Sequence, residues 1–440
     1  MPSLHLSRYA FPFSKDGKHL LYSSKNNSFY GINAELKDLL DNLRHNTIKE
    51  ETVSEDETLD TLYKGGILVG DYDDDDFLDS LKTNYHIMAY GNERLTLTIA
   101  PTIQCNLRCP YCFEESKPKG IMNDATINNL IQFIQSHECA KQYDINWFGG
   151  EPLIGLSQIR KILDKLAKLE QPYRVGHSII TNGTLLTDKA IALFMEYPLD
   201  SMQITLDGNK ESHNKKRFTL TGKGTFDLIL DNAIKFKKSS PHTKLTFRIN
   251  IDNSNSDEYV EVYRYITELF GQNTVSTYPG ILRANKGCES DVFFSTTDHM
   301  AFNRRLREQG LHITNYPELC SKGCAATHVS SYVVGPQGEL YLCWEHVGIP
   351  SMEIGNIRDT AMTNEQIFNR FMNHGHCFDD PECRSCGILP ICSGGCPDKR
   401  IKNKFHKHQH QLCALYKEQN QDMLYNILYE YYLQSQERNV

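Results

Sequence analysis

Residues Thr98–Glu114 read TIAPTIQCNLRCPYCFE, and the cysteines of this stretch govern the interpretation of the whole chain. Cys105, Cys109 and Cys112 have the spacing C-x3-C-x2-C. They directly follow Leu95–Ala100, an apolar run that predicts a β-strand. Three thiolates can hold a 4Fe–4S cluster and leave one iron without a protein ligand. That iron can bind a small molecule, whereas a cluster with four cysteine ligands only passes electrons. A zinc site that borrows a histidine, or a buried group of reduced thiols, is the alternative.

The cysteine stretch opens a region, up to about residue 290, in which strand patterns and helix patterns alternate. The predicted strands are Leu95–Ala100, Ile145–Phe148, Ser178–Thr181, Met202–Leu206, Leu245–Ile251 and Val275–Tyr278. The helix patterns between them include Ala125–Gln135, Leu156–Leu169, Asp188–Met195 and Phe226–Phe236. Six successive βα units indicate an α/β fold with a parallel sheet, either an open barrel or a doubly wound sheet. In both architectures ligands bind at the carboxyl ends of the strands.

Glycines and small polar residues follow the predicted strands at these carboxyl ends. Gly149, Gly150 and Glu151 lie in the motif FGGEP after the second strand. Asn182 lies in TNG after the third strand, and Thr205 begins TLDG at the end of the fourth. Glycines allow a backbone to approach a ligand closely. These motifs predict a ligand pocket at the same edge of the sheet as the cysteines.

Ten of the fourteen cysteines lie between Cys288 and Cys413, which places a second group of possible metal ligands late in the chain. Their pattern is C-x13-G-x4-C from Cys324 to Cys343, then C-x2-C-x5-C-x3-C-x16-C from Cys383 to Cys413. In a cytosolic chain such thiols are reduced, and short regular spacings then indicate metal ligands. Zinc ribbons are the main alternative, and they fit seven cysteines in this order poorly.

Composition and charge exclude several classes of protein. The net charge of −8 argues against nucleic-acid binding, which usually requires a concentrated basic face. No apolar run approaches the ~20 residues that span a bilayer. The N-terminal sequence lacks the basic start and apolar segment of a secretory signal. We therefore expect a cytoplasmic protein with no nucleic-acid partner and no membrane association.

The first ninety residues contain no metal-type cysteine spacing. Residues Leu21–Leu43 predict a hairpin followed by a helix, and a second short helix is expected at Glu57–Tyr63. Ile67–Val69 then predicts a strand. The acidic run Asp71–Asp76 is expected to be a solvated linker.

The stretch around Cys105 resembles the motif of the radical S-adenosylmethionine (radical SAM) superfamily, including the aromatic Tyr111 before the third cysteine. The resemblance implies a partial (β/α)6 TIM-type barrel over residues 91–300 that holds a 4Fe–4S cluster and S-adenosylmethionine. It also implies that the GGE motif holds the methionine amino group, that an arginine pairs with the cofactor carboxylate, and that the strand through Tyr278 faces the adenine. The residues implied in cofactor binding are Tyr111, Gly149, Gly150, Glu151, Asn182, Thr205 and Arg217. The implied reaction is hydrogen-atom abstraction by a 5′-deoxyadenosyl radical, after an external flavodoxin- or ferredoxin-type protein has reduced the cluster.

The late cysteines resemble the seven-cysteine signature of the SPASM domain, expected over residues 301–440 as a loop-rich domain with two auxiliary 4Fe–4S clusters. The ligands implied for the first auxiliary cluster are Cys324, Cys343 and Cys396, with Cys320 as the fourth. Those implied for the second are Cys383, Cys386, Cys392 and Cys413. Cys139, Cys288 and Cys377 remain as ordinary thiols, with Cys377 as an alternative ligand. Fully ligated clusters would accept the electron released when a substrate radical is oxidised.

Residues 1–90 resemble the small winged-helix (PqqD-like) domains that bind the leader of a precursor peptide by adding it to a sheet edge. Together these resemblances imply an oxidoreductase of ribosomal-peptide biosynthesis that installs a C–C, ether or thioether cross-link in a precursor peptide. One alternative is an anaerobic sulfatase-maturating enzyme, which forms formylglycine, and another is a peptide epimerase. Sulfatase maturases usually carry an aspartate base directly after the cysteine at position 343, but here Trp344 follows, so Glu345 is the candidate base. A non-enzymatic electron carrier is the alternative from another class.

Overall fold

A computed structural model describes residues 3–112, 120–169, 174–282, 296–311, 316–320, 322–359, 361–414, 417 and 421–438. Cys288, and Phe113 and Glu114 of the opening stretch, lie outside the described residues. The chain divides into two compact units. The terminal unit comprises residues 1–91, 314–329 and 369–440, and the central unit comprises residues 92–313 and 330–368.

The N-terminal part of the terminal unit contains six strands and four helices. The strands are β1 (Ser3–Leu6), β2 (Ala10–Lys15), β3 (Lys18–Ser23), β4 (Ser28–Ile32), β5 (Ile48–Lys49) and β6 (Leu68–Val69). The helices are α1 (Ala34–Asn42), α2 (Glu50–Glu55), α3 (Glu57–Lys64) and α4 (Asp73–Ala89). Strands β2, β3 and β4 form an antiparallel sheet, and β1 pairs with β5 and β6 in a second small sheet. The predicted hairpin, the two helices and the strand that follows them are confirmed.

The acidic run is not a linker, and that prediction was wrong. Asp73–Asp76 form the first turn of α4, where carboxylates are stabilised by the partial positive charge of the helix N-terminus. Asp74 is buried and pairs with Lys25 at 2.8 Å. Its Oδ1 also accepts a hydrogen bond from Ser7 Oγ, and its Oδ2 accepts one from the Arg8 backbone N–H. These bonds hold the pKa of Asp74 below its ordinary value against the opposing effect of burial.

The central unit is built on a parallel sheet. Its strands are β7 (Arg94–Ile99), β8 (Gln142–Trp147), β9 (Arg174–Thr181), β10 (Ser201–Leu206), β11 (Lys244–Ile251) and β12 (Ser276–Ile281). Its helices are α5 (Asp124–Gln135), α6 (Leu156–Leu166), α7 (Asp188–Glu196), α8 (Lys210–Lys216), α9 (Phe226–Ser239), α10 (Tyr259–Phe270) and α11 (Thr296–Glu308). Every second residue of β7, β8 and β10 is buried, as expected for strands with one face on the core.

The order of the strands decides between the two architectures that the sequence left open. Strands β7 to β12 lie side by side in chain order and every neighbouring pair is parallel. A doubly wound sheet would reverse its strand order at a switch point. The order is therefore that of a (β/α) barrel wound in one direction. It brings the carboxyl ends of six consecutive strands to one edge.

Three further strands extend the sheet beyond β7. They are β13 (Ser331–Val334), β14 (Glu339–Tyr341) and β15 (Gly355–Asn356). β13 is parallel to β7, and β14 and β15 continue as antiparallel neighbours. The remaining helices are α12 (Glu365–His374), α13 (Pro381–Arg384), α14 (Pro397–His406) and α15 (Gln421–Arg438). No helix among the described residues is long and apolar enough to cross a membrane.

The terminal unit joins the two ends of the chain in one hydrophobic core. Phe13 of β2 stacks on Tyr425 of α15, with ring centroids 4.3 Å apart and an interplanar angle of 7°. The same core contains Ile388 and Ile391, which lie between two of the late cysteines. The N-terminal sheet and the C-terminal helix therefore stabilise each other.

Candidate active site at the carboxyl ends of the parallel strands

The cysteine loop follows β7 and is held in place by backbone hydrogen bonds. The N–H of Leu107 donates to Cys105 Sγ at 3.4 Å, and the N–H of Arg108 donates to the carbonyl of Phe218 at 2.9 Å. Cys109 is buried, whereas Cys105 and Cys112 are half-buried. Burial raises the pKa of the Cys109 thiol to about 11, with the nearby Arg217 acting in the opposite direction. A bound metal is what would keep such a thiol ionised at neutral pH.

Gly149 and Gly150 are required by the protein's own backbone. Gly149 has a φ of +125°, and a Cβ there would overlap the carbonyl oxygen of Thr102. A Cβ on Gly150 would overlap the carbonyl oxygens of Ile103 and Gln104. The FGGEP turn thus packs directly against the loop that leads into Cys105. The sequence predicted glycines for the approach of a ligand, but the structure assigns them first to this close backbone packing.

Glu151 is completely buried, and its carboxylate ties the FGGEP turn to the TNG turn. Oε1 accepts hydrogen bonds from Thr181 Oγ1 at 2.7 Å and from the N–H of Leu153 at 3.0 Å. Oε2 accepts one from the N–H of Asn182 at 2.7 Å. Burial raises the pKa of Glu151, and these three bonds oppose that effect by stabilising the ionised carboxylate. The carboxylate therefore fixes two strand ends relative to each other.

Asn182 lies against the cysteine loop. Its Nδ2 is 3.9 Å from Cys105 Sγ and donates to Asn106 Oδ1 at 2.9 Å. Asn106 in turn donates from Nδ2 to Thr184 Oγ1 at 2.8 Å. The TNG turn is thus hydrogen-bonded to the cysteine loop. Thr205, predicted from the same kind of motif, lies half-buried at the end of β10.

Tyr111 and Arg217 meet in a buried polar network that also includes Asp207 and Asn250. Tyr111 Oη donates to Asp207 Oδ2 and accepts from Arg217 Nη1 at 3.1 Å and from Asn250 Nδ2 at 3.2 Å. Asp207 Oδ1 and Arg217 Nε are buried and have no hydrogen-bond partner among the described residues. Buried charged groups with free hydrogen-bonding capacity indicate a site for a polar ligand. Sequence reasoning missed the roles of Asp207 and Asn250, because only the fold brings them to Tyr111.

His213 stabilises this network through hydrogen bonds to neighbouring groups. It is fully buried, and its Nδ1 accepts from the N–H of Asp207 at 3.3 Å. Its Nε2 lies 3.0 Å from Thr225 Oγ1, which donates to the carbonyl of Arg217 at 2.9 Å. Burial lowers the pKa of His213 to about 3, so the imidazole is neutral at physiological pH. His213 therefore holds the backbone of both charged residues.

Comparison with known proteins identifies the central unit. Residues 99–284 match the family model described as the Radical SAM superfamily. Residues 99–284 of this chain therefore form a radical SAM domain. Enzymes of this superfamily carry a 4Fe–4S cluster and S-adenosylmethionine, and the matched residues contain Cys105, Cys109 and Cys112.

The chain is similar in sequence to a sulfatase-maturating enzyme and in fold to a protein solved with a bound precursor peptide. The cysteine-type anaerobic sulfatase-maturating enzyme of Clostridium perfringens (strain 13 / Type A) is 27% identical over 363 residues, which cover 74% of this chain and 95% of the relative. Native anSMEcpe with bound AdoMet and Kp18Cys peptide has a TM-score of 0.59 at 22% identity and covers 78% of this chain and 98% of its own. Streptococcus suis SuiB bound to precursor peptide SuiA has a TM-score of 0.50 at 14% identity and covers 89% of this chain and 95% of its own. Both structures share the fold of this chain.

Trp344 and Glu345 lie after β14, on the extension of the central sheet. Trp344 stacks on Phe148 of the FGGEP motif, with ring centroids 5.3 Å apart and an interplanar angle of 20°. Trp344 is 42% exposed, and Glu345 is also exposed. The position that follows Cys343 is therefore occupied by an aromatic side chain that contacts the residue before Gly149.

The predicted ligands of the auxiliary clusters fall into the two units. Cys343 belongs to the central unit. The terminal unit contains Cys320, Cys324, Cys383, Cys386, Cys392, Cys396 and Cys413. Within it, Cys383 Sγ accepts a hydrogen bond from Arg400 Nη2 at 3.4 Å, and Cys386 packs against the hydrophobic core.

No three cysteine, histidine or carboxylate side chains in the described part of the chain converge on a single metal ion. A four-iron cluster does not require such convergence, because each thiolate binds a different iron. The cysteines of the loop after β7 and the cysteines late in the chain are therefore both compatible with an iron–sulfur cluster.

Proposed function

We propose that this radical SAM enzyme modifies a ribosomally made precursor peptide and installs a cross-link at an unactivated carbon. The observation that carries the proposal is the Phe148–Trp344 stack, which occupies the position where sulfatase maturases usually carry an aspartate base. A partly exposed aromatic pair can bind an apolar or aromatic side chain, but it cannot accept a proton. The resemblance of residues 1–90 to leader-binding domains supports the same substrate class. So does the likeness in fold to SuiB, which was solved with a bound precursor peptide and covers 89% of this chain.

The residues of the central unit fit S-adenosylmethionine. When bound together, a reduced cluster and this cofactor would supply the one-electron chemistry that removes a hydrogen atom from the peptide. Arg217 would pair with the cofactor carboxylate, since its buried Nε has no partner among the described residues. The backbone at Gly149, Gly150 and Glu151 would bind the amino group of the cofactor. Tyr111, Asn182 and Thr205 would line the remainder of the cofactor pocket.

The late cysteines would hold two auxiliary clusters in a SPASM domain. Cys383, Cys386, Cys392 and Cys413 all belong to the terminal unit and would hold one of them. Cys320, Cys324 and Cys396 would hold the other, with Cys343 as the predicted remaining ligand. Fully ligated clusters would pass the electron of the substrate radical to an external acceptor, and a small redox protein would supply the electron that starts the reaction.

The N-terminal sheet would capture the leader of the precursor. Among the described strands, β4 pairs with β3 alone, so it is an edge strand of the small sheet. Tyr30 on β4 is 47% exposed. A leader that adds to this edge would gain backbone hydrogen bonds. We therefore assign leader recognition to residues 1–90, the radical SAM barrel to residues 91–300 and the auxiliary clusters to residues 301–440.

The proposal is tested by incubating the reconstituted, reduced enzyme with the short peptide encoded beside its gene. A cross-link makes the peptide lighter by one pair of hydrogen atoms per link in the mass spectrum. An unchanged mass with an altered residue configuration would establish epimerisation instead. The Glu345→Gln variant tests a side-chain base, because full activity of this variant would exclude Glu345 from catalysis.

Sulfatase maturation is the second candidate, favoured by the alignment with 95% of the C. perfringens relative. Its product is an aldehyde on a sulfatase peptide, which a hydrazide probe detects. The decisive comparison offers the same enzyme preparation a cysteine-containing sulfatase peptide and the precursor peptide. Formation of an aldehyde together with an unmodified precursor would replace the leading proposal by this one.

A further inference from the structure

Beside Cys320 and Cys324 the terminal unit contains a cavity of about 250 Å³. Cys377 lines the same cavity, together with Tyr85 and His376. One water molecule occupies ~30 Å³ in the liquid, so this space is far larger than a packing defect. A cavity of this size with three thiols in its wall is suited to the iron–sulfur cluster expected on Cys320 and Cys324.

His376 lines this cavity, and its Nδ1 atom has no hydrogen-bond partner among the described residues. The His376 side chain is 6% exposed, and Nδ1 is buried. Its Nε2 lies 3.7 Å from Asp379 Oδ2, which is too long for a hydrogen bond. Asp379 pairs instead with Lys82 Nζ at 2.8 Å. Leaving a buried polar atom unpaired is destabilising, so a partner for Nδ1 is expected beyond the described residues.

The surrounding side chains fix the imidazole in this position. The ring of Tyr85 lies 5.5 Å from that of His376, and the ring of Phe378 lies 6.0 Å from it. Tyr85 is itself anchored, because its hydroxyl donates to Thr327 Oγ1 at 2.7 Å. Thr327 Oγ1 donates to the carbonyl of Cys324 at 2.8 Å. The ring that carries the unpaired nitrogen is thus linked by packing and hydrogen bonds to a predicted cluster ligand.

We propose that His376 donates an Nδ1–H hydrogen bond to a sulfur atom of the cluster expected on Cys320 and Cys324. The inference rests on the proposed auxiliary clusters and deepens that proposal by naming a residue that tunes one of them. Reduction adds negative charge to a cluster, and an N–H donor stabilises that charge. His376 therefore raises the reduction potential of this cluster and is not needed for its assembly.

The test uses the full-length enzyme, reconstituted anaerobically, as wild type and as the His376→Ala, His376→Asn and His374→Ala variants. His374 is the matched control, since it lies two residues away and its Nδ1 contacts Lys404 Nζ at 3.0 Å. Iron and sulfide per chain are measured first, and each cluster is then titrated with reductant while its electron paramagnetic resonance signal is followed. We expect His376→Ala to retain wild-type iron and to make one auxiliary cluster harder to reduce. His376→Asn keeps an N–H donor and is expected to restore part of the shift, and His374→Ala is expected to match the wild type.

Three results would contradict the inference in distinguishable ways. Loss of one cluster's iron in His376→Ala would make His376 a ligand rather than a donor. Unchanged potentials with full iron would mean that Nδ1 is satisfied by water, and the auxiliary-cluster proposal would stand without the His376 donor. Wild-type enzyme with the iron of a single cluster would remove the auxiliary clusters themselves.

Discussion

Replacing Glu151 by glutamine tests the buried carboxylate that joins the FGGEP and TNG turns. Glutamine has nearly the same shape, but one carboxylate oxygen becomes an NH2 group. If the NH2 group replaces Oε2, it faces the N–H of Asn182, which now donates to Oε2 at 2.7 Å. If it replaces Oε1, it faces the N–H of Leu153 and displaces the bond from Thr181. In either orientation at least one buried donor loses its acceptor.

The expected loss of stability follows from these bonds. An unpaired buried donor costs ~1–3 kcal/mol, and each surviving bond weakens by ~1 kcal/mol when its acceptor is no longer charged. The neutral amide avoids the cost of burying a charge, which offsets part of this loss. The net effect is a destabilisation of about 2–4 kcal/mol. For a unit of this size that is a fall in melting temperature of roughly 4–8 °C.

Differential scanning calorimetry of wild type and Glu151→Gln under anaerobic conditions measures this change. Glu196→Gln is the control, because Glu196 is exposed and pairs at 2.9 Å with Arg160, whose side chain is also partly exposed. Exposed pairs contribute ~0–1 kcal/mol, so this variant is expected to melt close to the wild type. If Glu151→Gln melted within the error of Glu196→Gln, the carboxylate would not join the two turns.

Three further predictions concern other residues. Because burial holds the pKa of His213 at about 3, the unfolded chain takes up a proton below pH ~6.5 that the folded chain does not. The free energy of unfolding therefore falls with the pH, by up to ~1.4 kcal/mol per pH unit. Urea titrations should show a loss between pH 7 and pH 5 that is about 2 kcal/mol larger in the wild type than in His213→Gln. A Cβ on Gly387 would overlap the carbonyl oxygen of Arg8, so Gly387→Ala should displace the loop that begins at Cys386 and lower the iron content per chain. An aromatic pair contributes ~0.5–1.5 kcal/mol beyond its buried area, so Trp344→Ala should raise the KM for the precursor peptide about 2- to 12-fold. Trp344→Phe should leave the KM nearly unchanged. An unchanged KM in Trp344→Ala would exclude the stack from peptide binding.

Strands β7 to β12 of the central unit could be predicted because their signal is local, whereas β13 to β15 were not predicted. Each is a short apolar run followed by a turn or a motif, and the predicted ranges overlap all of β7 to β12. The helices α8 and α10 were not predicted. Helix α8 is short and polar, with Lys215 and Lys216 in its last turn. Its place in the fold depends on the burial of a single residue, His213, which no periodic pattern indicates.

The polar network around Tyr111 shows what local patterns miss. Asp207 is 96 positions away from Tyr111 in the chain, and Asn250 is 139 positions away. Only the parallel order of β7, β10 and β11 brings the ends of these strands together. The resemblance to a known motif supplied Arg217, but it did not indicate that Arg217 would share a buried tyrosine hydroxyl with a carboxylate.

The terminal unit could not be inferred from the sequence for a similar reason. Phe13 and Tyr425 stack although more than 400 residues separate them. An apolar strand face predicts that some partner covers it, but it does not identify the partner. The role of His376 could not be inferred from the sequence either, because it depends on the cavity beside Cys324.

The most direct test of the central claim is to measure 5′-deoxyadenosine. Reconstituted enzyme is reduced with dithionite in the presence of S-adenosylmethionine, and the products are quantified by chromatography and mass spectrometry. We predict that the wild type forms 5′-deoxyadenosine and that a variant with Cys105, Cys109 and Cys112 replaced by alanine forms none. Iron-loaded wild type that produced no 5′-deoxyadenosine under these conditions would contradict the account.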